Sequence, residues 1–201
     1  MQLDAPGLEN DLVRMTLFDE GHVQELRAST AVKSMWESMP DLPKGTNFEA
    51  YAEHILTLKK KASLVPFAIH RCSDGAFAGV ISFENMRRVH RRLRISHYWH
   101  PETMRGSGVF QASQALMIGR ALDWGARRIA WMVPARNVGA LAAIRSLGAR
   151  EEGFLRSFLR LADGTFADMV VFAFLHDEAR AALPVINDRW RALMAAAETT
   201  T

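Results

Sequence analysis

Apolar side chains recur along the chain with two different periods, and the change from one to the other marks its elements. Residues 12–17 alternate apolar with polar, the period-two pattern of a half-buried strand. Asp19 stands where it can cap a helix running through about Ala28. Phe48, Tyr51, Ala52 and Ile55 recur at helical spacing and predict a second helix, ending in Lys59-Lys60-Lys61, cations that suit a helix C-terminus. Residues 65–71 and 76–86 read as strands joined through Ser73-Asp74-Gly75, a hairpin signal. A strand follows over 91–99, a helix over 109–122 with Ala112, Ala115, Leu116 and Leu122 on one face, and a short apolar strand over 127–133. Asn137 caps a further helix with Leu141, Ile144 and Leu147 inward, and Gly148 ends it. Residues 150–161 and 166–175 form a last hairpin around Asp163-Gly164. Pro184 is expected to start a closing helix with Ile186, Trp190, Leu193 and Met194 on one side.

These elements make one α+β domain over residues 1–183, with a helical extension and a frayed tail over 184–201. That helix packs on the domain or forms a homodimer contact; both remain open. With 201 residues, 49% of them apolar, the chain can bury a sizeable core. No apolar run is long enough to span a bilayer, and MQLDAPGLEN lacks the pattern of a secretory signal, so no membrane is expected. The single Cys72 excludes an internal disulfide and points to a reducing, cytoplasmic setting. Arg87-Arg88-Val89-His90-Arg91-Arg92 is the densest basic run; it reads first as a solvated hairpin tip and, as the alternative, as a dock for RNA or an acidic protein. A net charge of only +3 gives no reason to expect nucleic acid.

The most informative stretch lies between the strand ending near His100 and the helix opening at Val109: Arg105-Gly106-Ser107-Gly108-Val109. A glycine-rich loop entering a helix N-terminus is a ready anion site, because orphan amides and the helix dipole face outward there. Arg105 can pair with phosphate. The loop has neither the Lys-Ser/Thr of a Walker motif nor the full dinucleotide spacing.

In its setting this loop resembles that of the GNAT acyltransferases, and more narrowly the RimJ/RimL-like branch that acetylates ribosomal-protein N-termini. The resemblance rests on Pro66-Phe67-Ala68-Ile69, Gly79-Val80-Ile81-Ser82, Trp99-His100-Pro101, the 105–109 loop, Arg136-Asn137, Ala142-Ala143-Ile144-Arg145-Ser146-Leu147-Gly148-Ala149 and Glu152-Gly153-Phe154-Leu155-Arg156, in the family's order over most of residues 12–175. It implies a mostly antiparallel central sheet of about six or seven strands with helices on both faces. It also implies direct transfer of an acetyl group from acetyl-CoA, the co-substrate, to a primary amine without any metal. The acceptor so implied is a protein N-terminus, or else a polyamine, amino-sugar or antibiotic.

Site roles follow from the same resemblance. Residues 94–100, with Tyr98, Trp99 and His100, would run along the pantetheine arm. Arg105, Gly106, Ser107, Gly108, Val109 and Phe110 would hold the pyrophosphate; Asn137, Ala140 and Arg145 would complete the cofactor site. Trp36 and Asn85 would face the acceptor. Candidate bases are His97 and Glu84, then His100. A regular strand would put Ser96, Tyr98 and His100 on one face, whereas the bulge usual in the family would swap the faces downstream. Two positions depart from the family pattern. Phe110, expected to face the core, replaces a small residue, and Ala140 replaces a serine that can protonate the leaving thiolate. They motivate an alternative: a protein that binds acyl-CoA without efficient turnover.

Overall fold

The computed structural model describes residues 4–29, 48–161 and 164–198. In chain order the strands are β1 Leu8–Glu9, β2 Val13–Leu17, β3 Leu64–Arg71, β4 Phe77–Arg87, β5 Arg92–Trp99, β6 Arg128–Pro134, β7 Arg150–Arg160 and β8 Phe166–Leu175. The helices are α1 Val23–Ser29, α2 Phe48–Lys60, α3 Val109–Asp123, α4 Val138–Ser146 and α5 His176–Glu198. The strands form one sheet in the order β1-β2-β3-β4-β5-β6-β8-β7. Every pairing is antiparallel except β5 with β6, which run parallel.

Period-two alternation sends neighbouring residues to opposite faces. Phe67 and Ile69 enter the larger core beneath α3 and α5, while Ala68 between them joins a smaller core with Leu26, Tyr51 and Ile55 of α1 and α2. Helices therefore cover both faces, as expected. The larger core is anchored by aromatic rings, among them Phe83 against Trp124 at 4.7 Å and Trp131 edge-on to Phe174 at 5.7 Å.

Two expectations change. The sheet has eight strands because the two-residue β1 pairs with β2, a run too short for any periodic signal. The closing helix does not start at Pro184; α5 begins at His176 and carries that proline inside it. Asp177 and Glu178 supply the acidic first turn, and the Glu178 carboxylate accepts the Leu175 amide at 2.8 Å. Pro184 is exposed, so the carbonyl it leaves without a helical donor is on the solvent side. Ala179, Ile186 and Trp190 bury the opposite side in the larger core. No helix among the described residues is long and apolar enough to cross a membrane.

Candidate active site

The site is made by β5. Leu93 and Ile95 point into the larger core, and Arg94 and Ser96 therefore point to the other face. At His97 the alternation breaks. Ser82 pairs with Ser96 but Val80 pairs with Trp99, which leaves one extra residue on β5, and His97 takes φ 50°. The strand is bulged rather than regular, as the resemblance implied. Gly79 accommodates the bulge from β4: its φ is 131°, and a Cβ there would lie 2.0 Å from the Trp99 carbonyl oxygen.

A second feature opens the sheet. β5 pairs with β6 only over Arg92–Arg94 and Arg128–Ala130. Beyond that, β6 stays with β8 and β5 stays with β4. The strands part into a cleft of about 990 Å³. One wall holds Ser96, His97, Tyr98, Trp99 and His100, and the other holds Met132, Val133, Asn137 and Ala140. Tyr51, His54 and Glu84 line one region of the cleft, and Arg105 contributes at the loop.

Glu84 is the centre of a polar cluster. Its carboxylate pairs with Arg94, lies near enough to the Ser96 hydroxyl for that group to stabilise its charge, and lies 3.8 Å from His97 Nδ1. Burial raises its pKa, but the Ser96 hydroxyl and the charges of Arg94 and His97 outweigh that, so it stays below the usual carboxylate range. Burial pushes His97 down, against the pull of Glu84, with His54 and Arg94 adding to the depression. His97 is therefore neutral at neutral pH, with its side chain 21% exposed. Ser96 Oγ lies 2.9 Å from His97 Nδ1.

His100 is built differently. Its Nδ1 donates to the Ala78 carbonyl at 2.8 Å, and burial pushes its pKa down to about 4. Its Nε2 is buried and, among the described residues, has no partner. Such a ring is a poor proton acceptor near neutral pH. Burial raises both Tyr51 and Tyr98, so both phenols stay protonated.

No family model and no curated protein matches the sequence. Solved structures do match the fold. A T. thermophilus protein assigned as an acetyltransferase superposes with a TM-score of 0.83 at 25% identity, over 94% of this chain and 99% of that one. Mycobacterium smegmatis RimJ in complex with CoA-disulfide gives 0.71 at 20% identity, over 90% and 93%. RimL, the ribosomal L7/L12 alpha-N-protein acetyltransferase, gives 0.72 at 20%, over 84% and 93%. The chain has the GNAT acetyltransferase fold.

Within this GNAT fold the residues expected at the cofactor divide. Tyr98, Trp99, His100, Arg105, Asn137 and Ala140 all line the cleft. Asn137 also caps α4, its side-chain oxygen accepting the Ala140 amide at 3.0 Å. Gly106, Ser107 and Gly108 form the turn into α3. Gly106 and Gly108 have φ of 74° and 84°, and Ser107 donates to the Met104 carbonyl at 2.7 Å. Val109 is buried in the core. Phe110 is half-buried and packs against the larger core, the side expected for it, with its ring meeting Tyr98 and His100, each at 6.1 Å.

Arg145 is elsewhere. It is on the exposed side of α4, paired with Glu151 at 2.8 Å and lying over the Phe172 ring, and it does not line the cleft. Asn85 sits at a second bulge with φ 49°, accepting from Arg87 at 3.1 Å, and is also outside the cleft lining. Trp36 lies outside the described residues. The sequence reading missed His54, Arg94 and Ser96. Regular counting back from the Arg87–Arg92 pair sets Asn85 opposite Arg94, and only the bulge at Asn85 brings Glu84 there, so that pair left no local signal; His54 reaches the cluster only through the packing of α2. Among the described residues no group of three His, Cys, Asp or Glu side chains could hold a metal ion.

Proposed function

We propose that the protein is an N-acetyltransferase that moves the acetyl group of acetyl-CoA to a primary amine, with a protein N-terminus as acceptor, in a reducing cytoplasmic setting. One observation carries the reading: the cleft where β5 leaves β6 runs from Arg105 to the Glu84–Ser96–His97 cluster. The residues fit a CoA thioester. Arg105 and the α3 N-terminus suit phosphates, and the unpaired stretch of β5 offers backbone groups to an extended amide-bearing arm. The RimJ neighbour bound to CoA-disulfide supports the donor, and the RimL neighbour supports an α-amine acceptor.

The chemistry needs the amine to lose its proton, the oxyanion to be stabilised and the thiolate to leave. A protein α-amine has a pKa of about 7.7–8.0, against about 10.4 for lysine, so it asks less of the base. Proton inventory gives His97 that role. Ionised Glu84 can only accept, so the single Ser96 proton goes to it. Ser96 Oγ then accepts from His97 Nδ1–H, leaving the Nε2 lone pair as the basic site. Glu84 acts through Ser96 as a positioning residue. The neutral amine nitrogen bonds to the acyl carbon to give a tetrahedral oxyanion, the nitrogen's proton passes to His97 directly or through water, and the carbonyl re-forms as the C–S bond breaks to release CoA thiolate.

Ala140 brings no hydroxyl to the cleft, and this favours the second reading, an acyl-CoA binder with little turnover. One experiment separates the two. The purified protein is given acetyl-CoA with N-terminal peptides, a polyamine and an amino-sugar, and thiol release is followed while mass spectrometry locates the acetyl group. The expected result is thiol release with an acetylated peptide α-amine. CoA binding without thiol release from any amine would leave the second reading standing.

A further inference from the structure

The hairpin between β4 and β5 carries Arg87, Arg88, His90, Arg91 and Arg92, and the topology brings other arginines to it. Arg92 pairs with Arg128 across the parallel β5–β6 ladder, and the Arg127 amide donates to the Arg91 carbonyl at 2.6 Å. β8 continues this end of the sheet, since Leu175 pairs with Arg128, and Arg150 of β7 pairs with Ala173 two residues earlier. Residues far apart in sequence thus share one end of the sheet.

These charges are also uncompensated. Several arginines elsewhere have carboxylates: Arg14 has Glu9, Arg27 has Glu49, Arg71 has Asp74 and Arg145 has Glu151. Among the described residues no carboxylate pairs with Arg87, Arg88, Arg91, Arg92 or Arg127. Arg87 and Arg91 hydrogen-bond only neutral groups, Asn85 and the Gly125 carbonyl. Glu152 pairs with Arg128 and also feels Arg150. On a chain with a net charge of only +3, five unpaired guanidinium groups make a local field.

We propose that this end of the sheet docks the phosphate backbone of a structured nucleic acid. The groups are all guanidinium, the cation suited to phosphate, and none is lysine. No Phe, Tyr or Trp lies in the run and His90 is its one ring, too little to stack successive bases, so the contact reads backbone and shape, not sequence. An acidic peptide would also need apolar anchors, and Val89, 91% exposed, is the one large apolar side chain on the tip. The surface is distinct from the reactive cluster, with Arg92 about 17 Å along β5 from His97, although Arg94, two residues on, already lines the cleft. It does not depend on the acetyltransferase reading.

The test is fluorescence anisotropy with a labelled RNA hairpin, a DNA duplex and a polyglutamate peptide over a salt series. The wild-type protein should bind both nucleic acids with Kd of about 10⁻⁶–10⁻⁴ M near physiological salt, tightening as salt falls. The variant Arg87→Gln, Arg88→Gln, Arg92→Gln, Arg127→Gln should bind at least about tenfold more weakly, with a salt slope flatter by about 2–4, at unchanged melting temperature. An equal charge removal at Arg14, Arg156, Arg180 and Arg191 should leave binding near wild type. Three results would overturn the proposal: no wild-type binding at low salt, equal losses in the two variants, or polyglutamate binding as tightly as RNA. If the fourfold variant folds poorly, Arg88→Gln with Arg127→Gln gives the same reading at smaller amplitude.

Discussion

The two halves of β5 carry opposite assignments within eight residues. Its first half keeps both neighbours: Arg92 and Arg94 pair with β4 across the bulge that β4 carries at Asn85, Arg92–Arg94 pair with β6, and Leu93 is buried. Its second half is bulged at His97, has lost β6 as a neighbour, and lines a cleft with five consecutive side chains. The difference teaches how this sheet makes a site. No long loop is inserted; a strand is released from one neighbour and re-aimed by one extra residue, and the open edge and clustered side chains follow.

The bulge can be broken from β4. Gly79→Ala sets a Cβ against the Trp99 carbonyl at a φ that L residues avoid, so it should cost about 2–5 kcal/mol of stability. Denaturant melts measure this, and a neutral substitution would mean that the bulged half adapts freely. The two histidines of that half sharpen the comparison next. His100 has its folded pKa pushed to about 4, below the 6.5 of the unfolded chain. On acidification the unfolded state takes up the proton first. The stability is therefore full above pH 6.5 and declines as pH falls toward about 4. The pKa shift, discounted for partial exposure, puts that loss at about 1–3 kcal/mol. His100→Asn keeps a donor for Ala78 and should flatten this part of the stability–pH curve.

Arg105 tests the far end of the cleft. Its side chain is 74% exposed and, among the described residues, is held only by Glu102, so Arg105→Ala should leave melting unchanged while weakening CoA binding by about 1–3 kcal/mol in calorimetry. Unchanged binding would remove Arg105 from the phosphate site. Phe110→Ala should have the smallest effect, about 1–2 kcal/mol of stability, because the ring is half-buried against Tyr98 and His100. A loss of about 4 kcal/mol or more, the range of a fully buried ring, would mean that Phe110 lies wholly inside the core.

What the sequence revealed was local. Helix and strand periods, the Ser73-Asp74-Gly75 hairpin and the glycine turn into α3 depend on neighbours a few residues apart, and they appear where expected. The cleft depends on where β5 stops pairing with β6, a contact between strands separated by α3, and no periodicity records it. The bulge was legible only through resemblance. Pro184 misled because its amide is dispensable on the exposed side of a helix whose other side is anchored by Ile186 and Trp190. Arg145 matched a motif but pairs with Glu151 and is not among the residues lining the cleft, since position in a motif does not give the face of a helix. The basic run left two readings open, a solvated tip or a dock for RNA or an acidic protein, and no local pattern records that the sheet order sets Arg127 and Arg150 beside it.

The central claim is that the released half of β5 carries the reaction, with neutral His97 as base. Its most direct test is the rate of thiol release from acetyl-CoA with an acetylatable N-terminal peptide, measured from about pH 5 to 9 for the wild-type protein and His97→Gln. Because the His97 pKa lies below 6.5, the wild-type rate should gain an acidic limb below that pH as the imidazole takes up its proton. His97→Gln should lower the plateau by about 10²–10⁴-fold, lose that limb, and leave CoA affinity unchanged. A variant with a near-normal plateau and the same acidic limb would contradict the account.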